Sequence, residues 1–507
     1  MSSWPDQPVI WEVNTAAWLR ELGGPAGGRR RLDDVSSAEW DALLPPGVDA
    51  VWLMGVWERS PAGIAIARGN AGLRSDFRAA LGDVTDADIV GSPYCIRSYS
   101  VDPAFGGEEG LAAARAELAR RGLRLLLDYV PNHVAPDHAW TTEHPELFVH
   151  GSSEDVGAHP EAYLEVGGAH LAHGRDPYFP PWPDVVQLNA FEPRLRQATA
   201  STLAAIGDRA DGVRCDMAML MMNAVFARTW GANAGPEPAA DFWPEVLAQV
   251  RATHPGMVFV AEAYWDLEWD LQQQGFDFCY DKRLYDRLVH EDAGAVRAHL
   301  GADLGYQHRL VRFLENHDEP RAAAAMDKGR ERAAAVVIAT LPGATLWHQG
   351  QLAGRRVRLP VFLDRWPDEP VDPDLLAFHE RLLAATEERK VRAGDWALLG
   401  VEGWPDNDSA HQLLSWSWGD ATHRAVVVVN LSAQASQGRV ALPWPDLEGR
   451  WWRLTDIVSP GTTFDREGGE LAAAGLYVDL PPWGYNVFAV GEIPAFLMRP
   501  DPTHAGR

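Results

Sequence analysis

Asp128, Asp216, Glu262 and Asp318 each stand at the end of a short apolar run, in the segments LDYVPNH (127–133), DGVRCDMA (211–218), FVAEAYW (259–265) and FLENHDEP (313–320). The runs are rich in branched aliphatic residues and stop abruptly at a polar or ionisable one. This is how strands buried on both faces of a parallel sheet read. In an eight-stranded β/α barrel the C-terminal strand ends open into one mouth, so four acids far apart in sequence converge there. Carboxylates gathered in a cleft suit sugar chemistry, in which one acid attacks or carries charge and another delivers and removes a proton. A lone strand-end acid more often caps the helix that follows; four of them in matching context argue for a catalytic mouth.

The elements that must hold these acids are readable. Strands are predicted at 9–14, 49–54, 123–128, 212–215, 258–261, 276–279, 310–314 and 344–348. Helical patterns lie between them, for example at 109–121 and 193–206, as βαβ logic requires. The predicted fold is α/β, a (β/α)8 barrel over 1–133 and 187–393, interrupted by an excursion at 134–186 rich in His, Pro, Gly and Trp. A loop of that length inside a barrel is functional or a small subdomain. After a helix near 374–390, alternating segments such as HQLLSWSW and RAVVVVNLS predict an antiparallel β-sandwich over 394–497, followed by a frayed tail at 498–507. With a strand starting at Val9, no leading carbohydrate-binding domain is expected.

At these residues the chain resembles glycoside hydrolase family 13, the α-amylase family. The strand-three motif D-x-V-x-N-H reads Asp128, Val130, Asn132 and His133, and the strand-four motif G-x-R-x-D reads Gly212, Arg214 and Asp216. The strand-five glutamate is Glu262, and the strand-seven N-H-D is Asn316, His317 and Asp318. One such motif is weak; four in order are specific. The resemblance implies that Asp216 is a nucleophile, Glu262 an acid/base and Asp318 a transition-state stabiliser, with the first two carboxyls ~5–5.5 Å apart. It also implies a domain B in the excursion and a mouth lined by Tyr94, His133, Arg214, His317, Asp128 and Trp265. Arg214, two residues before Asp216 on a strand, shares its face and would keep it ionised. No cofactor is required. Calcium is an option only at Asn132, where some members of the family bind it.

Two departures bear on substrate. Family amylases carry Lys-His three and four positions after the nucleophile, where this chain has Met219 and Leu220. The aspartate that anchors a terminal glucose in oligosaccharide α-glucosidases is here Gly91. An apolar leaving-group side, with donors missing, predicts poor action on starch and better turnover of a short α-glucoside. Of the 22 tryptophans, Trp57, Trp140, Trp182, Trp265 and Trp347 fall in segments expected around the cleft. The expected function is a retaining α-glycosidase working through a covalent glycosyl-enzyme. The alternatives are a transglycosylase, a phosphorylase or a sucrose- or trehalose-processing isomerase using the same intermediate, and, against the intact acids, a non-catalytic scaffold.

Composition narrows the rest. The 507 residues include 45 basic and 71 acidic ones, a net charge of −26, without a basic run or nucleic-acid-binding pattern, so a small carbohydrate rather than nucleic acid is the expected partner. The N-terminus lacks a charged n-region and an uninterrupted apolar core, and no run of about 18 apolar residues occurs, so neither secretion nor a membrane partner is expected. Cys95, Cys215 and Cys279 form no disulfide framework, which points to the cytoplasm. Oligomeric state has no sequence signal.

Overall fold

In the computed structural model, residues 4–24, 28–388, 390–420, 422–459 and 461–494 are described. The tail expected at 498–507 and the last residues of the sandwich, 495–497, lie outside them. Eight strands close a barrel in chain order: β1 Val9–Asn14, β2 Ala50–Met54, β3 Arg124–Tyr129, β4 Gly212–Cys215, β5 Val258–Ala261, β6 Phe278–Tyr280, β7 Leu310–Arg312 and β8 Ala344–His348. Every neighbouring pair is parallel, and β8 returns to β1 with Glu12 opposite His348. Strands β6 and β7 are displaced or shortened relative to the sequence expectation, because only three residues of each enter the ladder.

Local chemistry fixes where helices begin. Asn14 caps Thr15–Gly23 by accepting from the Ala17 amide at 3.1 Å. Pro193 opens Pro193–Gly207, where a missing N–H costs nothing. Asp281, at the end of β6, does what a strand-end acid ordinarily does: it caps Lys282–His290 through the Leu284 amide at 3.0 Å, while its other oxygen meets Arg312 and His299. Asp216 and Glu262 cap no helix.

Between β3 and β4 the chain builds a four-stranded antiparallel sheet. His133–Val134 pairs with Trp182–Gln187, then Ala169–Gly174 and Tyr163–Val166 follow. Its outer residues, His133 and Gln187, lie one position beyond the span expected for the excursion. After the helix Pro373–Glu388, six strands (Asp395–Leu398, Leu413–Gly419, Arg424–Asn430, Tyr485–Ile493, Trp451–Asp456, Thr463–Glu467) form one sheet. Three more (Val401–Glu402, Ser436–Val440, Leu476–Leu480) form another.

The run Arg424–Asn430 (RAVVVVN) explains how this unit docks. Val426 and Val428 join a core with Leu413, Leu454, Val478 and Phe488. Val427 and Val429, pointing the other way, join the barrel's own core with Trp416 and Trp418. A strand buried on both faces needs this unbroken apolar run. The indole N–H groups of Trp416 and Trp418 both donate to the Thr340 carbonyl, at 3.2 and 2.7 Å, at the end of the barrel helix Lys328–Thr340. Among the described residues no helix is long and apolar enough to cross a membrane.

Because the sheet and the barrel share one buried cluster, they are expected to unfold together. Trp416→Ala should cost about 3–5 kcal/mol, the range for emptying a buried aromatic site. Urea unfolding followed by near- and far-UV circular dichroism checks both points, and two separated transitions in the unaltered protein would refute the shared core.

Candidate active site

Arg214 is the hub of the barrel mouth. Its side chain projects inward from β4 and is fully buried, ringed by Trp52, Tyr94 and Tyr280, whose centroids lie 5.3, 5.2 and 5.8 Å from the guanidinium carbon. Nη1 donates to Asp216 Oδ1 at 2.6 Å. Nη2 lies 2.6 Å from Glu262 Oε2, a close charge contact without hydrogen-bond alignment. Asp128 Oδ1 is 3.9 Å from Nη1. One cation thus touches the acids that end β4 and β5.

The acids differ in their surroundings. Glu262 is buried; Oε1 accepts from the Tyr264 hydroxyl at 2.8 Å and Oε2 from the Met217 amide at 2.6 Å. Burial, opposed by Arg214 and aided by the negative charge of Asp216, pushes Glu262 up to about 7. Burial also raises Asp216, and the Arg214 charge and hydrogen bond pull it back. The two titrate as a pair. Asp318 presents 44% of its side-chain surface to the cleft, yet its Oδ2 is 2.9 Å from His317 Nε2. Burial raises it and the imidazolium overrides this, holding Asp318 down at about 2.

His317 Nδ1 lies 2.6 Å from Glu12 Oε1, and the Tyr94 hydroxyl is 2.8 Å from Nε2 with the two rings stacked at 5.3 Å. Tyr94, Arg214, Asp216, Glu262, His317 and Asp318 therefore converge on one mouth. His133 lies on the first strand of the insertion, edge-on to Trp182 at 5.5 Å, and burial lowers it to about 4, so it is neutral. Trp265, in a left-handed conformation (φ 64°), meets Tyr178 of the insertion at 5.0 Å. Met217 (φ 42°) and Asp266 (φ 62°) share that strained geometry, of the kind that collects at functional sites.

Four sequence expectations need correction. Asp128 is not a sugar contact: it is 1% exposed, and its oxygens accept from the Gly55 amide at 2.9 Å and the Trp52 indole at 3.2 Å, so it supports Arg214 from behind. Trp57 and Trp347 do not border the cleft. Trp57 is buried and donates to the Asp128 carbonyl at 2.7 Å, and Trp347 packs edge-on to His379 at 5.6 Å on the helix side of β8. Met219 and Leu220 form no apolar cleft wall, because the short 3-10 turn Ala218–Met221 turns both into the core. Asn132 is not free for calcium as it stands: its amide is paired reciprocally with Gln187, Oδ1 accepting at 2.8 Å and Nδ2 donating at 3.1 Å. Among the described residues no cluster of three or more His, Cys, Asp or Glu could hold a metal.

Glu12, Trp52, Tyr264 and Tyr280 belong to the mouth without having been singled out from the sequence. Glu12 carried a usable signal, a lone acid inside the apolar strand VIWEVN. Tyr264, two positions after Glu262, needed only the rule that alternate residues of an extended segment share a face. Trp52 and Tyr280 had none.

Comparison with known proteins agrees with this geometry. The family model described as the α-amylase catalytic domain matches residues 45–156. The chain is 25% identical over 459 residues to the α-amylase MalA of Haloarcula japonica, covering 87% of this chain and 57% of that one. It is 22% identical over 418 residues to a cyclomaltodextrinase of Geobacillus thermopakistaniensis, covering 77% and 63%. It thus spans about three-fifths of the length of these relatives. The maltogenic α-amylase AmyB of Thermotoga neapolitana has the same fold, with a TM-score of 0.66 at 17% identity over 96% of this chain and 98% of that one. The four strand-end motifs, set in a closed parallel barrel, are thus accompanied by similarity to the α-amylase catalytic domain over residues 45–156 and by the fold of a maltogenic α-amylase.

Proposed function

We propose that this protein is a retaining α-glycosidase that cleaves a short α-glucoside through a covalent glycosyl-enzyme. The observation that carries the reading is the sharing of one buried guanidinium by Asp216 and Glu262, with Asp318 paired to an imidazole at the open edge. Asp216, hydrogen-bonded to Arg214, is the nucleophile that attacks the anomeric carbon. Glu262, pushed up to about 7, protonates the departing oxygen and then deprotonates water. Asp318 and His317 hold the ring hydroxyls, and Tyr94 stacks beneath the ring.

The rim supports a short substrate. Asp176 Oδ1 accepts from the amides of Tyr178 and Phe179 at 2.6 and 2.9 Å, and this turn presents both aromatics outward, 59% and 67% exposed. Tyr178 reaches Trp265, three residues beyond Glu262, and its hydroxyl accepts from Arg228 at 3.0 Å. The insertion thereby meets the β5 loop, and a bridge of this kind on the leaving-group side would narrow passage for a long glucan. The free, buried thiols of Cys95, Cys215 and Cys279 suit a reducing cytoplasm.

Asp216→Asn is expected to lower kcat by at least about 10³-fold while melting within a few degrees of the unaltered protein, because the shape remains and the nucleophile is gone. Near-normal turnover of a verified substrate would remove Asp216 from that role. The first-formed sugar should be the α-anomer by proton NMR; a β-anomer would mean inversion.

The acid must be protonated to work, so kcat/KM is expected to fall about tenfold per pH unit above the Glu262 value near 7. Glu262→Gln should abolish that limb and slow disaccharides far more than activated aryl α-glucosides. Equal losses on both classes would contradict the acid role. Initial rates on soluble starch, disaccharides and aryl α-glucosides, with and without phosphate, test the substrate class and separate hydrolysis from transfer. Rapid internal cleavage of starch with little action on small substrates would overturn the short-substrate reading.

A further inference from the structure

We propose that Glu12 of β1 is a positioning residue that keeps the His317 ring doubly protonated, so that Nε2 always acts as a donor toward Asp318 and toward a hydroxyl entering the mouth. The inference rests on the sugar-binding role given above to His317 and Asp318, but it concerns a residue that touches neither sugar nor reacting atoms. Glu12 is wholly buried inside the barrel. Its Oε1 stands 2.6 Å from His317 Nδ1, whereas Oε2 has no hydrogen-bond partner. A glutamine would fill the same space and could still accept from Nδ1. Only the negative charge distinguishes the glutamate, and an ionised carboxylate so poorly satisfied is costly to bury unless its charge has a partner.

The groups facing His317 come from every side of the barrel. Glu12 approaches from β1, the Trp52 ring edge at 5.5 Å from β2, and the Tyr94 hydroxyl at 2.8 Å from the loop after β2. Asp128 acts from β3, Arg214 bears on both Glu12 and Asp318 from β4, and Asp318 stands next in the chain. Behind Glu12 is His348 of β8, itself against Glu315 and Arg321. Burial opposes a charged imidazole, but the two carboxylates in direct contact outweigh it and raise His317 well above the ordinary histidine range. Glu12 is held below its usual value by His348, His317 and Arg214 despite its burial, so the charge is present across the neutral range.

Removing that charge removes the imidazolium. With a neutral residue at position 12, one of the two favourable carboxylates is lost while burial remains, so the ring releases a proton nearer neutrality. With the remaining proton on Nδ1, Nε2 is a lone pair facing Asp318 Oδ2 at 2.9 Å; with it on Nε2, the glutamine amide turns to donate to Nδ1. In both states Asp318 loses the cation that holds its carboxyl low, and the arrangement that meets the sugar loses its charge pairing.

The test uses the full-length protein and the isosteric Glu12→Gln variant. Histidine-selective 15N NMR, with His317 assigned by the spectrum of a His317→Gln variant, is expected to show His317 as an imidazolium from pH 5 to 9 in the unaltered protein. In Glu12→Gln it should titrate within that window, at least about 1 pH unit lower. In Glu12→Gln the lowered His317 ionisation should add to the Glu262 limb, so that kcat/KM falls more steeply with pH than in the unaltered protein, with a loss of about tenfold or more at pH 8 but only a few-fold at pH 5.5. Glu12→Asp, which keeps the charge at a greater distance, should show a smaller shift in the same direction and stands in if Glu12→Gln does not fold. A His317 titration unchanged by loss of the charge, or superimposable pH profiles, would overturn the proposal. The NMR measurement needs no substrate, so it decides the role of Glu12 even if the glycosidase reading fails.

Discussion

A fully buried guanidinium is the constraint around which this barrel is arranged. Arg214 remains charged, so its burial has to be offset by what surrounds it. Asp216 and Glu262 supply the charge, and the rings of Trp52, Tyr94 and Tyr280 supply a polarisable wall. The arrangement works in both directions. The arginine needs two acids beside it, and the acids need the arginine to share a water-poor space. Two negative charges against one positive leave the pair favouring one bound proton, which is the state that the proposed roles of acid and nucleophile require.

The second charged chain, Glu12–His317–Asp318, meets the first at Tyr94. That ring faces Arg214 with one surface, and its hydroxyl reaches His317. Strand β1 therefore reaches the charges of the mouth although it carries none of the acids at its edge. A third network, Glu315–Arg321–His348, lies beneath with the carboxylate, guanidinium and imidazole in mutual contact, and ties the loop after β7 to the end of β8. Such layered pairs hold strand ends in register more rigidly than surface ion pairs can, because water does not screen them.

Legibility in the sequence followed from how local each feature is. The eight strands, the insertion and the alternating C-terminal segments announced themselves through hydrophobic period and breakers, which depend on neighbours in the chain. Asp216, Arg214, Glu262, His317 and Asp318 were legible because type, order and strand context recur together. Trp57 and Trp347 were misplaced because tryptophan suits a sugar platform and a barrel core equally well, and only the direction of the side chain tells them apart. Met219 and Leu220 were misplaced for a related reason: a one-turn 3-10 segment after β4 rotates them inward, and no local periodicity fixes so short a turn.

What the sequence determined by itself was the identity and order of the acids, the barrel that gathers them and the sandwich that follows, since each depends on patterns within a few residues. What the tertiary structure alone decided was which groups share a charge. Glu12 and His317 are 305 positions apart and meet at 2.6 Å, and Asn132 faces Gln187 rather than an open donor set. Coulomb energies depend on distance and on the absence of water, and neither quantity is written along a chain until the barrel closes.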